Sequence, residues 1–136
     1  VIVLEVLGEP EAQARPRVFR VRDGVRAVSP KTRWYYQVML AAEQAIENGT
    51  SPIRDAVHIR LEFRMPRIKS LPKRREIPHT KKPDWDNLAK AFVDALVPVL
   101  LVSDSLVTQA IVRKRYALPE ETPGCRAVLN PEGGKP

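Results

Sequence analysis

Apolar and polar positions alternate with two different periods along this chain, and the change of period marks out its elements. Residues 57 to 64 read Val-His-Ile-Arg-Leu-Glu-Phe-Arg. Val57, Ile59, Leu61 and Phe63 point to one side and the polar residues to the other, so a strand is predicted over about 56–64. The β-branched opening VIVLEVL predicts a strand over about 1–7, closed by the turn at Gly8. In 17–28, Val18 and Arg20 alternate with Arg17, Phe19 and Val21 around Asp23-Gly24, the pattern of a hairpin. A period of 3.6 replaces the alternation after Ser29-Pro30. Trp34, Val38, Ala41, Ala42 and Ala45 form one stripe, with Ile46 at its edge, and Gly49 ends it.

A second helical stripe is Leu88, Ala91, Phe92, Ala95, Leu96 and Val99, which predicts a helix from Asn87 to about Leu96. Asp86 is its expected N-cap, with Asn87 as competitor. The apolar run 97–102 is broken by Pro98. The apolar stretch Leu96 to Val102 suits either core or a dimer patch. Strands are expected over 106–116 and 125–129. Between the central strand and the second helix, residues 66–82 have no period and three prolines, and read as a loop rich in Lys and Arg. The sum is one small α/β (α+β) domain over 1–129, a mixed sheet with two main helices, followed by a tail over 130–136 that reads as disordered. Repeats and interdomain linkers are missing from the pattern.

Composition narrows the function. The 136 residues carry 23 Lys and Arg against 16 Asp and Glu, a formal net charge of +7. Such a chain favours an acidic partner, nucleic acid above all. A single cysteine, Cys125, excludes an intrachain disulfide and a cysteine zinc cluster. It reads as a small buried side chain. A reducing, cytoplasmic compartment fits. No run reaches the length of a membrane span, so no membrane partner is expected. No phosphate-cradling glycine loop or dinucleotide fingerprint is present, which argues against a nucleotide cofactor.

Against this positive background, Pro-Asp-Trp-Asp-Asn-Leu at 83–88 sets two aspartates one residue apart. Paired carboxylates repel unless a cation or proton lies between them. In an extended segment Asp84 and Asp86 would share a face, with Trp85 opposite. Lys90 lies one helical turn beyond Asp86, and Asp94 one turn beyond Lys90. Asp104 precedes the next strand and needs only to lie beside the start of the second helix to complete a three-carboxylate cluster. Hard oxygen donors of that kind suit Mg²⁺. Read singly, Asp86 is a helix cap, Asp84 a loop residue and Asp104 a turn residue.

Basic residues gather in two main groups. Arg15, Arg17, Arg20, Arg22, Arg26, Lys31 and Arg33 cover the hairpin and the start of the first helix. Lys69, Lys73, Arg74, Arg75, Lys81 and Lys82 fill the loop before the aspartates. A basic loop running into a carboxylate site is what a phosphodiesterase requires, because cations hold backbone phosphates while the site acts on one of them. The plain alternative is a solvated loop. A third run, Arg113-Lys114-Arg115, reads as a strand whose outer face meets solvent. His58 and His79 have no metal-ligand spacing. Trp34 and Trp85 read as packing residues, with Trp85 placed to touch bases.

Lys-Lys-Pro-Asp-Trp-Asp-Asn-Leu-Ala-Lys-Ala-Phe-Val-Asp-Ala-Leu at 81–96, followed by Ser-Asp-Ser-Leu-Val at 103–107, resembles the RusA family of Holliday junction resolvases, small endodeoxyribonucleases of bacteria and their prophages. Ala-Arg-Pro-Arg at 14–17 and Ser-Pro-Lys-Thr-Arg at 29–33 are similar to the start of many members, so the likeness spans roughly 1–117. The resemblance implies that Asp84, Asp86 and Asp104 are catalytic and hold Mg²⁺, with Mn²⁺ a possible substitute. It implies that Lys90 is catalytic or contacts phosphate. It implies a symmetric homodimer that binds a four-way junction and makes paired nicks leaving 5′-phosphate and 3′-hydroxyl ends. Arg15, Arg17, Lys31, Arg33 and the basic loop become the expected DNA contacts. Ser103 and Leu106 depart from the Asp and Gln usual at those positions. Two rival readings are a nuclease of other branched DNA and a catalytically silent junction-binding protein.

Overall fold

Phe63 lies where the two periods of the chain meet. Its strand, β4 (Val57–Met65), buries Val57, Ile59, Leu61 and Phe63 on one face, as the alternation requires. Phe63 meets Phe92 edge-on at 6.1 Å between ring centroids, and Phe92 meets Trp34 at 6.3 Å. Trp34 belongs to α1 (Arg33–Glu47) and Phe92 to α2 (Trp85–Leu96), so three aromatic rings join the sheet to both helices. All three are essentially inaccessible to solvent. Truncating Phe92 to alanine would cost about 3–5 kcal/mol.

The computed structural model describes residues 1–13, 17–28, 30–73 and 75–132, without the side chains of Arg17 and Val28. A four-stranded mixed sheet has the order β1-β6-β4-β5, built from β1 (Ile2–Leu7), β4, β5 (Val107–Tyr116) and β6 (Gly124–Pro131). β6 runs antiparallel to both β1 and β4, whereas β4 and β5 are parallel. A parallel pair needs a crossover, and residues 66–106 with α2 provide it. β2 (Arg17–Val21) and β3 (Gly24–Val28) form a separate hairpin turning at Asp23-Gly24. The molecule is thus a small α+β domain with a mixed sheet and two main helices.

Three details differ from the sequence expectation. α2 begins at Trp85, with Asp84 rather than Asp86 at its N-cap, because the backbone leaves the extended conformation directly after Asp84. The leucines of the run Leu96 to Leu101 are core: Leu96, Leu100 and Leu101 are buried, and Ile53 N–H donates to Leu100 O at 2.7 Å. That excludes these leucines from a dimer patch, while Pro98 and Val102 are exposed and Val97 and Val99 are half-buried. β6 continues to Pro131, and Glu132 N–H donates to Ala56 O, past the boundary expected at 129; residues 133–136 lie outside the described ones.

The sheet face away from the helices carries a ladder of charges. Arg64 pairs with Glu5, and Arg115 bonds Glu62 and, through both terminal nitrogens, Glu121. Both arginines are buried, so Arg115 is not the solvent-facing edge residue the sequence suggested. Gly124 has to be glycine here, since a Cβ would stand 2.2 Å from Val6 O and 2.8 Å from Arg64 Nη2.

Candidate active site

Asp84 and Asp86 occupy the N-cap and first turn of α2, and both are exposed. The helix expected to be capped by Asp86 starts two residues earlier, so both carboxylates belong to its N-terminal end rather than to an extended segment. Asp84 makes no side-chain cap bond, so its oxygens are not committed to the helix. Trp85 is 59% exposed, which corrects its reading as a packing residue. One turn on, Lys90 Nζ lies 3.7 Å from Asp94 Oδ2. The lysine therefore leans away from Asp86 toward the next carboxylate.

The segment that delivers Asp84 is tied down from beneath. Lys114, on β5, donates from Nζ to Lys81 O and to Pro83 O, each at 2.7 Å. His79 N–H donates to Lys114 O at 3.2 Å and Tyr116 N–H to Ile77 O at 2.9 Å, so residues 77–79 run along the outer edge of β5. Earlier in the loop, Arg67 donates to Ala117 O at 3.1 Å and also to Pro72 O and Arg75 O. The loop expected to be free is anchored at both ends. Its cationic tips are still available: Lys69, Lys73, Arg75, Lys81 and Lys82 are all exposed.

Lys114 is the residue that sequence reasoning missed. The signal was parity: Lys114 shares its side of β5 with Val112 and the buried Tyr116, an inward position where a lysine needs partners. A cavity of about 440 Å³ opens beside Pro83, lined in part by Glu9, Glu11, Met65, His79, Lys81 and Tyr116. The His79 ring packs against Tyr116 at 4.8 Å. Burial, reinforced by the Lys114 charge, holds its imidazole below the ordinary pKa, so it is neutral at pH 7. Nδ1 of His79 has no hydrogen-bond partner among the described residues.

Asp104 is placed elsewhere. It opens a 3₁₀ turn, Asp104–Leu106, immediately before β5. Ser103 caps that turn by accepting from Ser105 N–H at 3.2 Å, which gives the departure at 103 a local structural role. Leu106 packs against the core. Pro83, before α2, meets Lys114 late in β5, whereas Leu101, after α2, bridges Ile53 ahead of β4, so α2 runs toward the starts of β4 and β5, and its 12 residues span about 18 Å. Asp104 therefore lies at the opposite end of α2 from Asp84 and Asp86. Seven residues of β5 separate Val107 from Lys114, about 23 Å of strand, which agrees. Among the described residues, no group of three or more Asp, Glu, His or Cys side chains could hold a metal ion. Asp84 and Asp86 thus belong to the head of α2, and Asp104 to the turn before β5.

Of the other predicted DNA contacts, Lys31 stacks its ammonium over the Tyr35 ring at 4.7 Å, and Arg33 is exposed at the start of α1. Arg15 and Arg74 lie outside the described residues, as does the side chain of Arg17. His58 pairs with Glu132 on the open sheet face. Cys125 is fully buried, and burial pushes its thiol pKa far up, as an inert packing residue requires. No helix among the described residues is long and apolar enough to cross a membrane.

The family model described as endodeoxyribonuclease RusA matches residues 8–123. That span contains α1, β4, the basic loop, α2, Asp104 and β5. No curated protein matches the chain at a significant level.

Proposed function

The chain belongs to the RusA family of endodeoxyribonucleases, nucleases of four-way DNA junctions, and on that footing we propose that it resolves Holliday junctions by paired symmetric nicks. Each nick leaves a 5′-phosphate and a 3′-hydroxyl that a ligase can seal. The observation that carries this reading is the uncapped Asp84 with Asp86 at the head of α2, delivered by a basic segment that Lys114 pins to the sheet.

The donor set fits a hard divalent ion. Asp84 and Asp86 offer oxygens at one helix end, and Asp104 offers the third carboxylate. Because Asp104 sits at the far end of α2, a two-fold homodimer is the arrangement that supplies it: Asp104 of the partner subunit joins Asp84 and Asp86. These carboxylates would hold Mg²⁺, or Mn²⁺ in its place, and the ion would supply Lewis-acid stabilisation of the phosphate. Lys69, Lys73, Arg75, Lys81 and Lys82 hold the flanking phosphates and set the strand's register. Lys90, one turn from Asp86, swings from Asp94 to the phosphate oxygens as charge builds on them. Lys114 keeps Asp84 in place throughout. Two equivalent sites related by a two-fold match a junction whose opposed strands are related in the same way. Work on junction DNA puts the protein in the cytoplasm.

Cleavage of a synthetic four-way junction, compared with a flap and a linear duplex in Mg²⁺, tests the reading. Symmetric nicks in the junction alone support it. Preference for the flap makes the protein a nuclease of other branched DNA, and junction binding without any cut makes it a silent binding protein.

A further inference from the structure

We propose that the cavity beside Pro83 is a nucleobase pocket. It takes one base, swung out of the stack, from a nucleotide next to the phosphate that is cut, and it favours a base with an exocyclic amine over thymine. This deepens the nuclease reading and rests on it for the identity of the strand.

The cavity lies at the carboxyl ends of two parallel strands. Met65 closes β4 and Tyr116 closes β5; the two are partners in the register, and both line the space. In open sheets with parallel strands, ligands gather outside those ends. The crossover loop returns here and adds Ile68, His79 and Pro83 as walls. The volume of about 440 Å³ falls in the range of small-molecule sites, about 300–1,000 Å³, with room for one base and not for a duplex. Lys114 fixes the wall through its two bonds to Lys81 O and Pro83 O. Asp84 follows Pro83 directly in the chain, so the pocket opens beside the head of α2.

The lining supplies what recognition of a base requires. Met65, Ile68 and the buried Pro10 give apolar surface, and the Tyr116 and His79 rings meet 4.8 Å apart in the same wall. Enzymes that take a base out of the stack hold it against such surfaces and read its hydrogen-bonding edge. The edge readers here are Glu9 and Glu11. Neither forms an ion pair among the described residues, although the chain carries a net charge of +7 and Glu11 is half-buried. An ionised carboxylate only accepts hydrogen bonds. It bonds an exocyclic amine and repels the O4 acceptor that thymine presents in the same place. His79 is neutral and its Nδ1 has no partner among the described residues, so the wall behind the base adds no competing charge. Lys81 and Lys82, exposed at the rim, hold the phosphate of the same nucleotide.

Four-way junctions carrying 2-aminopurine, an amine-bearing base that brightens when unstacked, test the pocket by binding alone, without a divalent ion. The probe is placed in turn at each nucleotide flanking the cut. One position should brighten when wild-type protein is added, and the rise should be lost with Ala12→Phe, which fills the cavity from its wall. In Mg²⁺, single-turnover cutting of junctions with each base at that position should be at least about tenfold slower with thymine. Glu9→Gln combined with Glu11→Gln keeps the shape of both side chains and lets them donate as well as accept, so most of that gap should close. The glutamine pair decides the matter if Ala12→Phe does not fold. A junction that is bound without brightening at any position overturns the proposal, as does a thymine junction cut as fast as the others or a gap that the glutamine pair leaves unchanged. Cutting without brightening strikes the pocket and keeps the nuclease reading. Brightening that Ala12→Phe abolishes, with no junction cut, upholds the pocket and refutes the nuclease reading instead.

Discussion

Lys114 and Pro83 are joined across the molecule: the lysine ammonium on β5 donates to the proline carbonyl at 2.7 Å, one residue before Asp84. A second bond of equal length to Lys81 O makes the contact a clamp. Lys114→Met keeps the length of the side chain and removes the donors. Stability should fall by about 1–2 kcal/mol, the scale for losing charged hydrogen bonds at a partly exposed site. Amide exchange across 79–88 should quicken while the rest of the sheet stays protected. Junction binding should persist, and cutting of bound substrate should slow by about tenfold to a hundredfold, the usual consequence of a misplaced reacting group. Unchanged exchange and unchanged cutting would assign Lys114 to packing alone.

Mixed dimers separate a shared site from a self-contained one. Asp84→Asn and Asp104→Asn should each be inactive alone and should each still bind the junction. Refolded together, the heterodimer has one site with both substitutions and one with neither, so cutting should return on a single strand. If heterodimers form and no nick appears, each chain uses its own Asp104 and the placement at the far end of α2 must change on binding.

The exposed cations of the loop act on binding. Replacing Lys69, Lys73 and Arg75 with alanine should flatten the log–log salt dependence of junction affinity by about 2–3 units, close to one for each phosphate that is no longer neutralised. Single-turnover cutting at saturating protein should change little. A titration across salt beside that rate measures both.

Lys90 should fail in the opposite way. Its pair with Asp94 is 3.7 Å long and largely solvated, so Lys90→Ala should leave stability nearly unchanged. Binding should persist while the chemical step slows by on the order of 10²-fold, as when a charge-stabilising donor is removed. Normal cutting once bound would leave Lys90 as a partner of Asp94 only.

Glu121 should set the acid limit of the fold. Hydrogen bonds from Arg115 hold its pKa at about 2, below the ordinary 4.5, and Leu118 N–H adds a further donor. The stabilisation is complete above pH 4.5 and is lost as pH falls toward 2. It amounts to at most about 3 kcal/mol. Glu121→Gln should lower stability at pH 7 and give a flatter profile between pH 4.5 and 2, read by thermal unfolding across that range. An unchanged slope would show that the Arg115–Glu121 pair does not drive the acid transition.

How far the chain could be read without its fold depended on the range of the interaction. The alternation of Val57, Ile59, Leu61 and Phe63 and the stripe through Leu88, Phe92 and Leu96 identified β4 and α2, because burial imposes one period on a strand and another on a helix, within a few residues. Asp84, Asp86 and Lys90 could be placed near the head of α2 for the same reason, since all lie within two turns of one helix start. Asp23-Gly24 announced its hairpin through turn chemistry alone. Local pattern could not say on which side of α2 Asp104 would fall. That depends on β4 and β5 being parallel, which sends the chain back along the length of the helix before the next strand can begin. Nor could it show that Lys114 faces inward beneath Pro83, 31 residues away in the chain, or that Leu100 and Leu101 fill the core. Those outcomes are contacts between distant segments, and only the packing of one element on another determines them.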